Sequence, residues 1–420
     1  MDDAPPAKAP LNKTGLDKTG LGKTGPKKHG FRTRLSHAGR AGTHVQGFVN
    51  PGVMRGSTVL QPDIATRKAA GTKRLEQAWI YGTAGGPTHW ALENMIAEIE
   101  GGTRCQIVST GLAAVTTPLL AYLSNGDHCL MPDSVYGPTR NFADATMQRF
   151  GIETEFYDPC ITEAALQSLM RPNTRVVYSE SPGSHTFEVQ DVPMLARVAH
   201  AHGARLLMDN TWGIHYFQPF EHGVDVSIQA LTKYAGGHSD VLLGSITTNS
   251  DADWEIVRSA SSALGQYASP DDCWLTLRGL RTMGVRLKEQ MESAIQVAHW
   301  LRQRPEVAQV LHPALPGAPG HDLWKRDFTG ACSLFGVELK PEFSQAASEK
   351  MIEALELFGI GASWGGFESL ATPTTGNLLR TMGTGNFAGP VVRIHVGLED
   401  PADLIADLEQ ALASMQAQRG

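Results

Sequence analysis

Lys233 and Asp209 each follow a short apolar run that has the length of a buried strand. Lys233 stands in VSIQALTKYAGGHSD, and Asp209 ends the run ARLLMD. An ammonium group at the end of a core strand is costly to bury, so its pKa tends to fall and the neutral amine becomes a nucleophile. A carboxylate in such a place needs a ligand or a helix to cap. Considered separately, Lys233 could equally be a lysine that reaches the surface, and Asp209 could equally be a residue that caps a helix.

Two glycine-containing stretches could bind an anion. In VSTGLAAV a strand-like run ends before Gly111 and a helical pattern begins at once, which leaves the amides of Gly111 and Leu112 free at a helix N-terminus. The loop YGTAGGPTHW, residues 81–90, has three glycines that would let backbone amides approach a phosphate closely. A simple turn is the alternative for each stretch.

Arg393 lies inside the apolar run VVRIHV, where an unpaired guanidinium would be expensive. It therefore predicts a carboxylate partner, from the protein or from a substrate. The segment SWGG, residues 363–366, predicts a tight turn with exposed backbone.

Strand-like and helical segments alternate between about residues 90 and 250. The helical patterns are ALENMIAEIE, LAAVTTPLLAYL and PMLARVAHAHG, and the strand-like runs are CQIVST, DHCLMP, VVYSES, ARLLMD, VSIQAL and LLGSITT. This order predicts a mostly parallel sheet covered on both faces, with ligands at the carboxyl ends of its strands. An anion site, a strand-end aspartate, a core lysine and a carboxylate-seeking arginine are together what pyridoxal 5'-phosphate chemistry needs.

Composition narrows the class of protein. The 420 residues are 41% hydrophobic and 19% charged with a net charge of −7, which argues against a nucleic-acid binder. No apolar run reaches the length of a membrane span, and the fifteen histidines form no HExxH motif, so neither a membrane partner nor a metal is expected. Five scattered cysteines predict reduced thiols and a cytoplasmic location. Residues 1–30, with their Lys-Thr-Gly repeats, are predicted to be a disordered basic tail.

Several ordered motifs resemble the Cys/Met-metabolism family of pyridoxal-phosphate enzymes over residues 31–418. They are ESPGS, LMDNTW, DVSIQALTKYAGGHSD, LRGLRTMGVRL, HPALPG, WKRDFTGACSLF, SWGGFESL and RIHVGLED. The resemblance implies an α/β protein of fold type I, like aspartate aminotransferase, with a mostly parallel seven-stranded sheet. It also implies an arm over residues 31–84 that contributes to a neighbouring subunit's site, a cofactor-binding large domain over 85–280, and a smaller α/β domain over 281–420.

The resemblance also assigns roles to single residues. Lys233 would hold the cofactor covalently and remove the α-proton of the substrate, and Asp209 would pair with the pyridine nitrogen. Tyr136 would stack on the ring and assist proton transfer to the leaving thiolate. The phosphate would be held by Gly111, Leu112 and Thr232 and by Tyr81 of a neighbouring subunit, while Arg393, with the backbone of Ser363 and Trp364, would bind the substrate carboxylate.

Two positions depart from the family pattern at the phosphate. Thr83 stands where members usually carry Arg, and Ala230 where many carry Ser. One charged hydrogen bond contributes about 1.5–3 kcal/mol, so cofactor affinity is expected to fall tenfold or more. Arg32, Arg34, Arg55 and Arg140 are candidates to supply the missing charge.

Trp364 in SWGG and Ser184 in ESPGS resemble the β-lyase branch of the family. This implies a carbon–sulfur lyase of methionine biosynthesis that converts L-cystathionine to homocysteine, pyruvate and ammonia, assembled as a homo-oligomer, with a tetramer expected. The alternatives are γ-elimination, γ-replacement or cysteine desulfhydration with the same cofactor. A different alternative is a non-catalytic scaffold or regulator that has lost the cofactor, suggested by Thr83 and Ala230.

Overall fold

The computed structural model describes residues 29–40, 48–374, 378–382 and 387–416. The tail predicted for residues 1–30 falls almost wholly outside these ranges. The first described elements are two short helices, α1 (Phe31–His37) and α2 (Ile64–Gly71). A single 3-10 turn, Gly82–Ala84, lies in the YGTAGGPTHW loop. Within the loop, Gly85 has a φ of +83°, a backbone conformation that favours glycine.

Seven strands form the first sheet, which we call the large sheet. They are β1 (Arg104–Val108), β2 (His128–Pro132), β3 (Glu153–Tyr157), β4 (Thr174–Glu180), β5 (Arg205–Asp209), β6 (Val226–Ala230) and β7 (Gly244–Thr248). The strand order is β1-β7-β6-β5-β4-β2-β3, and only β7 runs antiparallel to its neighbours. The mostly parallel seven-stranded sheet is confirmed.

The apolar pattern finds six of these strands and misses β3. Its sequence, ETEFY, mixes charged and apolar side chains because β3 lies at one edge of the sheet with only its last residue fully buried, whereas β1, at the other edge, is buried at four of its five residues. Arg171 pairs with Glu153 at 2.6 Å and also with Glu155. An edge strand does not need the continuous apolar sequence of a central parallel strand.

Six helices lie along the large sheet: α3 (Pro87–Glu100), α4 (Gly111–Tyr122), α5 (Gly137–Asn141), α6 (Glu163–Leu169), α7 (Val192–Ala201) and α8 (Asp251–Ala263). Alternate residues of each strand enter cores on opposite faces. Val177 and Leu206 belong to one core with residues of α3 and α7, whereas Val176 and Leu207 belong to the other with residues of α4. Burial on both faces explains the continuous apolar runs of the central strands.

The second sheet is antiparallel and contains β8 (Val307–Leu311), β9 (Leu334–Leu339), β10 (Leu370–Pro373) and β11 (Val391–His395), in the order β10-β11-β9-β8. The remaining helices are α9 (Pro270–Leu301), α10 (His321–Asp327), α11 (Gln345–Glu353) and α12 (Pro401–Gln416). The predicted domain boundary at 280/281 falls inside α9, a continuous helix of 32 residues. Its N-terminal half packs in the core of the large sheet and its C-terminal half in the core of the second sheet.

Candidate active site

Asp209 and Lys233 meet at the carboxyl end of the large sheet. Asp209 is the last residue of β5, and Lys233 follows β6 in a turn closed by a hydrogen bond from its amide to the Ala230 carbonyl (3.1 Å). The charges of Asp209 and Arg393 shift the pKa of Lys233, and the same two charges shift the pKa of Tyr136. The fold therefore brings together four residues that are up to 257 positions apart (393 − 136) in the sequence.

The Lys233 amine is mostly buried and points at the SWGG turn. Its Nζ donates a hydrogen bond to Ser363 Oγ at 2.6 Å and lies 5.4 Å from the centre of the Trp364 ring. Burial, and next the positive charge of Arg393, lower the pKa of Lys233 to about 8. A substantial fraction of neutral, nucleophilic amine is therefore present near physiological pH.

Asp209 is a buried carboxylate without a cationic partner. Its Oδ1 accepts a hydrogen bond from the Thr211 amide at 2.9 Å. No Lys, Arg or His of the described residues lies within ion-pair distance of it. Burial raises the pKa of Asp209 above its ordinary value. A protonated ring nitrogen would supply the missing cation, so this side chain fits the pyridine end of pyridoxal phosphate.

Arg393 is a largely buried guanidinium without a carboxylate partner among the described residues. Its Nη2 donates to the Ser363 carbonyl at 3.1 Å, and burial lowers the pKa of the group. Strand β11 places Arg393 opposite Gly336 and Thr372 on its neighbours. A substrate carboxylate would neutralise this charge through charge-assisted hydrogen bonds.

Tyr136 lies above the strand ends, at the start of α5, and its side chain is 43% exposed. Its amide donates to Glu180 Oε2 at 2.8 Å. Burial and the charges of Glu180 and Asp209 raise the pKa of the Tyr136 phenol. The hydroxyl is therefore protonated at neutral pH and can donate a proton.

Glu180 is a site residue to which no role was assigned from the sequence, although it begins the ESPGS motif. It ends β4 directly beside Asp209, since the two residues are partners in the β4–β5 ladder. Burial and the neighbouring Asp209 raise the pKa of Glu180 well above its ordinary value. The signal available was an acidic residue at or next to the end of two predicted strands, Glu180 as the penultimate residue of VVYSES and Asp209 as the last residue of ARLLMD. Ser184 of the same motif donates its amide to the Ser134 carbonyl at 2.8 Å.

The predicted anion site is the N-terminus of α4. Thr110 caps the helix by accepting from the Ala113 amide at 3.0 Å, and the first intrahelical bond runs from Ala114 to Thr110, so the amides of Gly111 and Leu112 precede it. A Cβ at Gly111 would lie 2.6 Å from that of Ala230, so only glycine lets the helix end approach β6 so closely. A backbone cup next to Lys233 fits a phosphate group.

Thr232 makes its own contacts in this turn. Its Oγ1 accepts from the Leu243 amide at 3.0 Å and lies 3.3 Å from the Leu243 carbonyl. A phosphate could still bind to this hydroxyl through a hydrogen-bonding position that the contacts with Leu243 leave open. The role of Thr232 at the phosphate stays a prediction.

The first half of the YGTAGGPTHW loop, residues 81–85, lies at or near the surface, whereas residues 87–90 are buried as the first turn of α3. Tyr81 is 51% exposed and Thr83 is exposed, and the loop is held by the Gly82 amide, which donates to the Ser57 carbonyl at 2.6 Å. Within the described part of the chain, no hydrogen bond or ring contact joins Tyr81 or Thr83 to Lys233, Asp209 or Arg393. This position suits a loop that serves a second copy of the chain.

Two of the four arginines considered as substitutes for the missing charge are engaged elsewhere. Arg140 pairs with the buried Asp133 and lies over the Phe156 ring, and Arg34 pairs with Glu98 at 3.2 Å. Arg55 is exposed and pairs with Asp271 on the surface, an interaction that contributes little and is easily exchanged. Gly82 packs against Gly56 and Ser57, so Arg55 stands next to the loop that carries Tyr81.

The described ranges hold neither a metal-binding cluster nor a membrane-spanning helix. They contain no group of three or more His, Cys, Asp or Glu side chains arranged to hold a metal ion. Nor does any helix in these ranges have the length and apolar character needed to cross a membrane.

Comparison with known proteins agrees with this geometry. The family model described as Cys/Met metabolism PLP-dependent enzyme matches residues 32–413. A putative cystathionine beta-lyase of Rhizobium johnstonii is 48% identical, covering 92% of this chain and 97% of the relative. The cystathionine beta-lyase MetC of Escherichia coli is 40% identical, covering 91% and 98%. The solved structure of cystathionine gamma-lyase from Lactobacillus plantarum, complexed with L-serine, superposes with a TM-score of 0.85 at 29% identity, covering 92% and 100%.

The fold is that of the type I PLP-dependent enzymes, and the site has a lysine, a strand-end aspartate and an anion cup suited to that cofactor. The chain belongs to the Cys/Met metabolism family of PLP-dependent enzymes. Pyridoxal 5'-phosphate is accordingly its cofactor and a small amino acid its substrate.

Proposed function

We propose that this enzyme is a carbon–sulfur β-lyase that cleaves L-cystathionine to homocysteine, pyruvate and ammonia. The observation that carries the proposal is a set of three largely buried ionisable groups, Asp209, Lys233 and Arg393, none of which forms an ion pair within the described residues. Lys233 and Arg393 meet at Ser363. A cofactor ring nitrogen, a cofactor aldehyde and a substrate carboxylate complement these three in turn. The relatives named cystathionine beta-lyase, at 39–48% identity over most of their length, support the reaction.

The chain's own residues act on the substrate as follows. Arg393 binds the α-carboxylate and so sets which bond at Cα faces the catalytic base. Lys233 Nζ, with its lowered pKa, removes the Cα proton. Pyridoxal phosphate, when bound, supplies the electron-withdrawing ring that stabilises the resulting negative charge, and Asp209 keeps that ring protonated. Tyr136, protonated at neutral pH, donates a proton to the departing thiolate.

Product identification tests the proposed reaction. Purified holoenzyme supplied with L-cystathionine should release pyruvate and homocysteine in equal amounts. Release of 2-oxobutyrate and cysteine would establish γ-cleavage instead. Absence of turnover with L-cystathionine, with pyruvate and sulfide released from L-cysteine, would establish a desulfhydrase.

We also propose that two chains share each active site, and that dimers of this kind pair into tetramers. The arm between residues 48 and 81 exposes an unusual series of large apolar side chains: Phe48, Val49, Met54, Leu60, Ile64, Trp79 and Tyr81. Isolated exposed apolar residues are common, but a concentration of them in one segment favours an interface. A second copy covering this arm would bring Tyr81 to the cofactor phosphate of its partner.

Mixed dimers test the shared site. Lys233→Ala and Tyr81→Ala each disable a different contributor, so a 1:1 mixture refolded together should recover about a quarter of wild-type activity, because half of the dimers then contain one intact site. A mixture no more active than the two separate variants would show that Tyr81 serves its own chain.

All five cysteines are unpaired, which supports a location in the cytoplasm.

A further inference from the structure

The SWGG turn lies against the backbone that carries Lys233. Ser363 and Gly365 have φ values of +78° and +85°, so the turn has a conformation that non-glycine residues rarely adopt. A Cβ at Gly365 would lie 2.8 Å from the Tyr234 nitrogen and 2.9 Å from the Lys233 carbonyl carbon. The position of this turn therefore decides where Ser363 Oγ meets the Lys233 amine.

Strand β11 holds the same turn from the opposite side. Arg393 and His395 are two residues apart, so their side chains project from the same face of the second sheet. Arg393 Nη2 donates to the Ser363 carbonyl at 3.1 Å, and His395 Nε2 lies 3.2 Å from the Gly365 amide and 3.3 Å from the Gly366 carbonyl. The strand thus contacts both ends of the turn.

The surrounding hydrogen bonds select the tautomer of His395. The Gly366 carbonyl already accepts from Gln290 Nε2 at 2.7 Å, whereas the Gly365 amide can only donate. Nε2 is therefore the acceptor and Nδ1 carries the hydrogen. Nδ1 lies 3.1 Å from Ser333 Oγ, to which it donates.

The network continues from Ser333 to the residue next to Lys233. Ser333 Oγ lies 3.2 Å from Tyr234 Oη, which also accepts from the Ser333 amide at 3.0 Å. His395 is 1% exposed, and burial lowers its pKa to about 4. The ring is therefore neutral at physiological pH, as an acceptor nitrogen requires.

We infer that His395 is a positioning residue that fixes the SWGG turn between the Lys233 segment and strand β11. Arg393 has two tasks, because it holds the Ser363 carbonyl and also, under the proposed function, binds the substrate carboxylate. His395 anchors the turn independently, so that Ser363 stays at Lys233 while Arg393 turns to the substrate. The effect of His395 on catalysis rests on the proposed function, whereas its effect on the position of the SWGG turn does not.

Two substitutions at His395 separate its two hydrogen bonds, and another buried histidine provides a control. His395→Gln can keep an acceptor at the position of Nε2, whereas His395→Asn keeps only a donor at the position of Nδ1. His312 is also fully buried with a pKa lowered to about 4, but its hydrogen bond is to the Ala314 amide, outside the turn. His312→Asn therefore reports the cost of losing a buried imidazole as such.

Amide hydrogen exchange of the holoenzymes tests the inference without relying on turnover. Loss of one buried hydrogen bond should raise exchange in peptides covering residues 363–367 about tenfold in His395→Asn, less in His395→Gln, and not in His312→Asn. KM for L-cystathionine should rise about tenfold in His395→Asn, with kcat changed less than KM.

Unchanged exchange in residues 363–367 of His395→Asn would overturn the inference, as would an equal increase in His312→Asn. If His395→Asn does not fold, the same exchange comparison is made with His395→Gln, which must then exceed His312→Gln in the turn. If none of the proteins cleaves L-cystathionine, the proposed function fails while the exchange result still decides the role of His395.

Discussion

The strand-end cluster and the N-terminal arm differ in how far a single chain completes them. Asp209, Lys233 and Arg393 are mostly buried, with directions fixed by Thr211 and Ser363. Tyr81 and Thr83, in contrast, are exposed and held mainly through backbone contacts to residues 56–58. One chain therefore organises the amine, carboxylate and guanidinium groups, while the arm would act at the site of a second chain under the proposed shared site.

The largest effect is expected at the centre of the buried cluster. Lys233→Ala removes the amine that, under the proposed function, both holds the cofactor and takes the Cα proton, so kcat should fall at least about a thousandfold. Pyruvate release measures the loss, and the visible absorbance of the protein reports cofactor attachment. Lys288→Ala is the control, because Lys288 forms only an exposed pair with Glu292 at 3.1 Å. Substantial pyruvate release by Lys233→Ala would contradict the assignment.

A smaller loss is expected where the second sheet meets the cluster. Arg393→Lys keeps the charge but loses the planar fork that can bind a carboxylate through two hydrogen bonds. KM for L-cystathionine should rise about 10- to 100-fold, with the visible spectrum unchanged because Arg393→Lys keeps the positive charge that acts on Lys233. A rise no larger than in Arg326→Lys, which alters a surface pair with Asp191 and Asp327, would remove Arg393 from substrate binding.

A gain is expected in the arm. Thr83→Arg adds a charge beside Tyr81 and should tighten cofactor binding about tenfold, measured as the dissociation constant of pyridoxal phosphate from the apoenzyme. Unchanged affinity would mean that another cation, with Arg55 the best placed of those considered, already fills the role. Arg55→Gln in the Thr83→Arg background tells these outcomes apart, because it weakens binding only if Arg55 contributes.

The smallest effect concerns the pH dependence of cofactor loading. Attack on the cofactor aldehyde needs the neutral amine, so loading of apoenzyme should rise with pH and level off above about pH 8, the lowered pKa of Lys233. Because the Arg393 charge helps to lower this pKa, Arg393→Gln should move the midpoint to higher pH. A midpoint that moves downward, or one near the ordinary lysine pKa in wild type, would contradict the described environment of Lys233.

Local pattern was sufficient for much of the large sheet and for the residues at its strand ends. The runs CQIVST, VVYSES, ARLLMD and VSIQAL correspond to β1, β4, β5 and β6 because a strand covered on both faces is continuously apolar. PMLARVAHAHG forms α7 and is followed by Gly203 at a φ of +72°. Strand β3 was missed because only the last residue of ETEFY is fully buried, so the strand lacks that pattern.

By itself the sequence determined which residues can do the chemistry. A lysine, an aspartate and an arginine in or next to apolar strands are costly to bury, so their presence there indicates a functional partner. Only the tertiary structure decided that Glu180 lies beside Asp209, that His395 holds the Gly365 amide, and that Arg34 and Arg140 are engaged elsewhere. Each of these facts is a pairing between distant segments. Strand register and the packing of the second sheet against the first fix such pairings, and no local pattern records them.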